Sequence, residues 1–95
     1  MKILKAKQSH PKKKTFQISN LHFIKSMKPL KELLNGEELQ HPIEIEKREI
    51  TGLKRKGANG KDYIEKEYSV YRGSQRVNAA IHLGYDAIEG IIINE

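Results

Sequence analysis

The chain has no cysteine. That excludes disulfides, thiolate zinc sites and a thiol nucleophile, and it fits a cytoplasmic protein. Aromatic residues are few, two phenylalanines and four tyrosines. They offer no row of rings of the kind that stacks single-stranded bases. Apolar runs are short: the longest aliphatic stretch is Ile91-Ile92-Ile93, far below the ~20 residues of a membrane span. No apolar segment follows the basic N-terminus, so no signal peptide is expected. Four histidines (10, 22, 41 and 82) are scattered without an i, i+4 pair, so no metal site is expected. No membrane partner is expected either.

What is present is charge, unevenly placed. The net charge is +6 over 95 residues, a length that suits one small domain. Residues 1–14 carry six lysines and no acid, and the remaining chain holds twelve basic and twelve acidic residues. The whole excess therefore sits on an N-terminal segment. Its like charges repel and Pro11 interrupts any helix, so residues 1–14 are expected to form a flexible basic arm and residues 15–95 the domain.

Alternation and breakers divide the domain. Thr15–Ser19 alternates, with Phe16 and Ile18 on one side, and reads as a strand. Pro29 suits a helix start, Leu30, Leu33 and Leu34 follow at helical spacing, and Asn35-Gly36 stops a helix of about two turns. From Pro42 to Ile50, Ile43 and Ile45 alternate with Glu44 and Glu46, a strand with one wet face. The alternation slips between Lys47 and Ile50, which suggests a bulge or the end of pairing. Asn59-Gly60 signals a hairpin turn, with Lys54, Arg55, Lys56 and Lys61 at its tip. Tyr63–Arg72 is rich in strand formers. From Ser74 to Leu83 the residues Val77, Ala80, Ile81 and Gly84 make a helical stripe, and Gly84 ends it. Ala87–Ile93 reads as a closing strand. The expected fold is α+β, a small mixed sheet with two main helices in the order β-α-β-β-α-β. The last two strands would form a parallel βαβ unit.

The junction Gly73-Ser74-Gln75-Arg76 joins a strand to a helix. Unpaired amides and the helix dipole favour anions there, glycine admits close approach, and an arginine in the first turn can grip phosphate oxygens. The same residues also suit a plain cap, with Ser74 at the helix start and Arg76 in solvent. The lysines and arginine at 12, 13, 14, 54, 55, 56 and 61 are candidate contacts to nucleic-acid phosphates.

Gly73, Arg76, Ala79-Ala80 and Gly84 spell G-x-x-R-x-x-A-A-x-x-x-G. This resembles the second signature box of the ParB/sulfiredoxin superfamily. Leu39–Ile45 (LQHPIEI), the LKELL segment and YDAIEGIII are similar to that family's other elements, so the resemblance spans roughly residues 15–95. It implies a ParB-like domain whose Gly73–Arg76 turn binds nucleotide phosphates, with a nucleoside triphosphate and magnesium as the implied cofactors and nucleic acid as the implied partner. Three departures limit what carries over. Ser74 stands where sulfiredoxins have their cysteine and where partition proteins and a related serine kinase have glutamate. A serine does not act as a base at neutral pH. FIKSMKP offers only Lys25 and Lys28 where partition proteins have an arginine-bearing box. The length leaves no room for a helix-turn-helix reader and a dimerisation domain, so a complete partition protein is not expected. The leading expectation is a phosphate-binding, nucleic-acid-associated domain without catalysis. A non-catalytic protein-interaction module, inhibitor or adaptor, is the alternative. A ParB-like nuclease or nucleotide phosphohydrolase ranks behind both.

Overall fold

The computed structural model describes residues 1–48, 55–56, 62–63 and 67–94. In chain order the elements are β1 (Ile3–Leu4), β2 (Lys14–Gln17), a 3-10 turn (Ile18–Asn20), β3 (Leu21–His22), α1 (Lys31–Leu34) and β4 (Ile43–Lys47). They continue with β5 (Arg55–Lys56), β6 (Asp62–Tyr63), β7 (Tyr68–Arg72), α2 (Ser74–His82) and β8 (Ala87–Ile92). The fold is a small α+β domain. Its main sheet is mixed, in the order β1-β8-β4-β7-β3, with β2 also on β8.

The alternation of β4 places it at the centre. Ile43 and Ile45 are fully buried, and Glu44 and Glu46 lie half-buried on the other face. β8 runs parallel to β4, with Ile43 opposite Gly90 and Ile45 opposite Ile92, and β7 runs antiparallel on the other side. The expected parallel βαβ unit is therefore corrected: β7 and β8 are antiparallel and β4 lies between them. β4, the strand with the stronger apolar alternation, takes the middle of the order, while Tyr68 and Val70 of β7, nearer the edge, are only half-buried. Pairing of β4 with β7 shifts between Glu44 and Ile45, where Glu44 faces Arg72 and Ile45 faces Val70. Tyr71 is the extra residue of this bulge and is well exposed. β4 ends at Lys47, and residues 49–50 of the expected slip lie outside the described residues.

β8 has three partners. Ala87 and Ile88 pair with both β1 and β2, and Gly90 pairs with both β2 and β4. A strand has two edges, so β2 occupies one edge of β8, and β1 and β4 share the other end to end. The expected basic arm thus joins the sheet. Leu4 and Ala6 are buried, and the Lys7 amide donates to the Leu39 carbonyl at 2.7 Å. Apolar Ile3 and Leu4 supply the docking that the surrounding lysines mask in the sequence.

Both helices end alike. Gly36 (φ 92°) and Gly84 (φ 85°) sit in the left-handed region. The following amides of Glu37 and Tyr85 reach back to the Glu32 and Ala80 carbonyls, closing the helix with a six-to-one bond. α1 is a single turn rather than two, because Leu30 is extended and gives its amide to the Gln75 carbonyl of α2. α2 buries Ser74, Val77, Ala79 and Ala80. Ile81, expected in the apolar stripe, is 46 % exposed and Ala79 takes its place inside. Small residues let the helix lie close to the sheet, which turns the buried face toward the alanines. β5 and β6 pair antiparallel, Arg55 opposite Tyr63 and Lys56 opposite Asp62, so a hairpin forms but Arg55 and Lys56 lie in its paired strand rather than at its tip. The Asn59-Gly60 turn, Lys54 and Lys61 lie outside the described residues.

Candidate phosphate-binding turn

β7 passes into α2 through Gly73, whose φ of 121° no other residue type adopts without strain. A Cβ there would lie 2.7 Å from Ile43 Cγ2. Glycine is thus required twice, by its dihedral and by the central strand beneath it. The first helical bond runs from the Val77 amide to the Gly73 carbonyl at 2.9 Å. The amides of Ser74, Gln75 and Arg76 have no hydrogen-bond acceptor among the described residues, and no side chain caps the helix. Three N–H groups at the positive end of α2 make an arrangement that can hold an anion.

The side chains divide their work. Ser74 is buried, and its Oγ accepts the Ile24 amide at 3.2 Å. Gln75 is exposed and its carbonyl accepts from Leu30 at 3.0 Å. One turn on, Asn78 Nδ2 donates to the Ile24 carbonyl at 2.9 Å and to the Ser74 carbonyl at 3.0 Å. These bonds lace the 24–30 loop onto the start of α2. Asn78 was not singled out from the sequence, where its only signal is a polar residue four places after Ser74.

Arg76 is half-buried and makes no ion pair or hydrogen bond through its side chain among the described residues. It lines a cleft of about 220 Å³ between the α1 region and α2, together with Glu32, Glu37, Glu38 and His41. Three carboxylates face one guanidinium, and although Lys7 pairs with Glu38 at 3.7 Å, the lining stays net negative. That opposes a polyanion lying along it and leaves the amide end of the turn as the better anion seat.

Of the basic run, Lys12 is exposed and Lys13 pairs with Glu89 at 3.4 Å. Lys14 opens β2 opposite Gly90. The register runs Lys14–Gly90–Ile43 across three strands. Gly73 stands beside Ile43 one strand further on, so the basic run lies about 14 Å of sheet from the turn. Only the backbones of Arg55 and Lys56 are described, so how the hairpin cluster stands to the turn lies outside the described residues. Among the described residues no helix is long and apolar enough to cross a membrane, and no group of three or more His, Asp or Glu could hold a metal. Compared with family models, curated proteins and solved structures, the chain matches none.

Proposed function

We propose that the chain is a ParB/sulfiredoxin-like domain that binds a phosphate-bearing ligand, nucleotide or nucleic acid, at the turn from Gly73 to Arg76. One observation carries the reading: a glycine held at positive φ against Ile43 leaves three consecutive amides without acceptors among the described residues, beside an arginine with no ion pair among them. A phosphate there would accept the amides of Ser74, Gln75 and Arg76, and the guanidinium would close on it from the first turn. Lys12 and Lys14, both exposed, would extend the contact along a nucleic-acid backbone, while Lys13 is held by Glu89. Catalysis is not part of the proposal, because the Ser74 hydroxyl already serves the Ile24 amide.

The test is an NMR titration of labelled protein with CTP, ATP, ADP and a short DNA duplex, repeated at rising salt. Saturating shifts at the amides of residues 74–76 that vanish in Arg76→Ala support the reading. Duplex binding should also weaken steeply with salt as lysine–phosphate contacts are lost. No shift at residues 73–77 with any of these ligands at low salt sinks it.

A second reading, a protein-interaction module, draws on a different observation. Ile24, Met27 and Ile81 are exposed, and the Arg76 cleft is acidic. A protein captured equally well by the wild type and by Arg76→Ala favours that reading over the first.

A further inference from the structure

The segment from Lys2 to Lys13 crosses from one edge of β8 to the other, and Glu89 touches both ends of the crossing. Glu89 Oε1 accepts the Ala6 amide at 2.7 Å and meets Lys13 Nζ at 3.4 Å. Both partners of the ion pair are largely buried, at 21 % and 13 % side-chain exposure. It is therefore held far better than the exposed Lys7–Glu38 pair, whose partners are 66 % and 70 % exposed. β1 covers only Ala87 and Ile88, and β4 begins at Gly90. The backbone of β1 runs out at Glu89, and the carboxylate fills that gap by reaching sideways to Ala6.

Beyond Ala6 the same segment braces the wall of the Arg76 cleft. The Lys7 amide donates to the Leu39 carbonyl at 2.7 Å and the Gln8 amide to the Gln40 carbonyl at 2.9 Å. Gln8 Oε1 also bonds His41 Nδ1 at 2.7 Å. Leu39, Gln40 and His41 all line the cleft.

We infer that residues 1–13 form a strap fastened at Glu89, and that the fastened strap holds the Leu39–His41 wall of the Arg76 cleft in place. The strap and its hold on the wall do not depend on what the cleft binds. Any consequence for a phosphate ligand rests on the function proposed above.

Glu89→Ala and Glu89→Gln in the full chain test this by amide hydrogen exchange. Glu89→Ala removes both contacts. Exchange at Ala6, Lys7 and Gln8 should rise at least tenfold, with the Leu83 and Ile93 amides unchanged as controls for the fold. Glu89→Gln keeps an acceptor for Ala6 but loses the ion pair. It should leave Ala6 protected while trypsin cuts after Lys12 and Lys13 several-fold faster. Unchanged exchange at Ala6 in Glu89→Ala overturns the clasp. A rise at Ala6 alone, with Lys7 and Gln8 still protected, overturns its hold on the wall. If Glu89→Ala also loosens Leu83 and Ile93, Glu89→Gln decides: unchanged trypsin cutting overturns the clasp. A phosphate titration of wild type and variant separates the two proposals, since absence of binding in both removes the functional reading and leaves the strap standing.

Discussion

Gly73 rests on Ile43 so closely that an added β-carbon would stand 2.7 Å from Ile43 Cγ2 and 2.9 Å from its Cβ. Gly73→Ala meets this contact and a φ of 121° together. Strain at such a dihedral and overpacking each cost about 1–3 kcal/mol. A loss of roughly 2–5 kcal/mol is expected in urea unfolding. A loss under about 1 kcal/mol would mean that the turn relaxes and does not need glycine.

Ser74→Ala removes the acceptor of the Ile24 amide. The bond is partly buried, so leaving its donor unmet costs about 1 kcal/mol, the low end of the range for buried donors. The loss should be local as well as global: exchange at the Ile24 amide should speed up more than exchange at Ile45. If both change equally, Ser74 stabilises the domain without specifically holding the 24–30 loop.

Ile45→Ala and Ile81→Ala make a contrasted pair. Ile45 is fully buried and Ile81 is 46 % exposed. The first should cost about 2–5 kcal/mol by cavity formation. The second should cost about 1 kcal/mol or less. Thermal melts of the two variants read the difference directly, and equal losses would contradict the orientation of α2 described above.

Arg76→Ala should leave stability within about 0.5 kcal/mol, since its side chain has no hydrogen-bonded or ion-paired partner to abandon among the described residues. Any phosphate binding at the turn should fall tenfold or more. Glu37→Gln together with Glu38→Gln should act in the opposite sense. Each nearby charge is worth up to about 1 kcal/mol in water, so affinity for inorganic phosphate should rise about two- to fivefold. Titration at low salt measures both effects, and a fall in affinity in the glutamine variant would mean the carboxylates take part in binding.

Some of this architecture was legible in the sequence and some was not. Gly73 and Gly84 bracket α2, and the Ile43–Glu46 alternation marks a two-faced strand, because dihedral demands and face periodicity are local properties. Pairing partners are not local. Nothing in Val70 or Ile92 says that β4 will stand between their strands. Ile3 and Leu4 find their place only through Ala87 and Ile88, at the far end of the chain. The same limit applied at the site. Gly73 and Arg76 could be singled out from their spacing, but the acidic wall facing Arg76 comes from Glu32, Glu37 and Glu38, brought there by the single turn of α1 and its glycine stop. Ile81 misled because a helical stripe fixes which residues align and not which neighbour lies against them.

The triple pairing of β8 has a consequence for how the domain is made. β1, β2 and β4 all precede it in the chain and all lean on it, and Lys2 and Asp86 share a hydrogen bond across 84 residues of sequence. On a ribosome the first three would emerge with their keystone still unsynthesised. Long-range closure of this kind slows folding. β3, β4 and β7 can pair among themselves first, and β1 and β2 should wait as unpaired edges until Ala87–Ile92 is free to receive them.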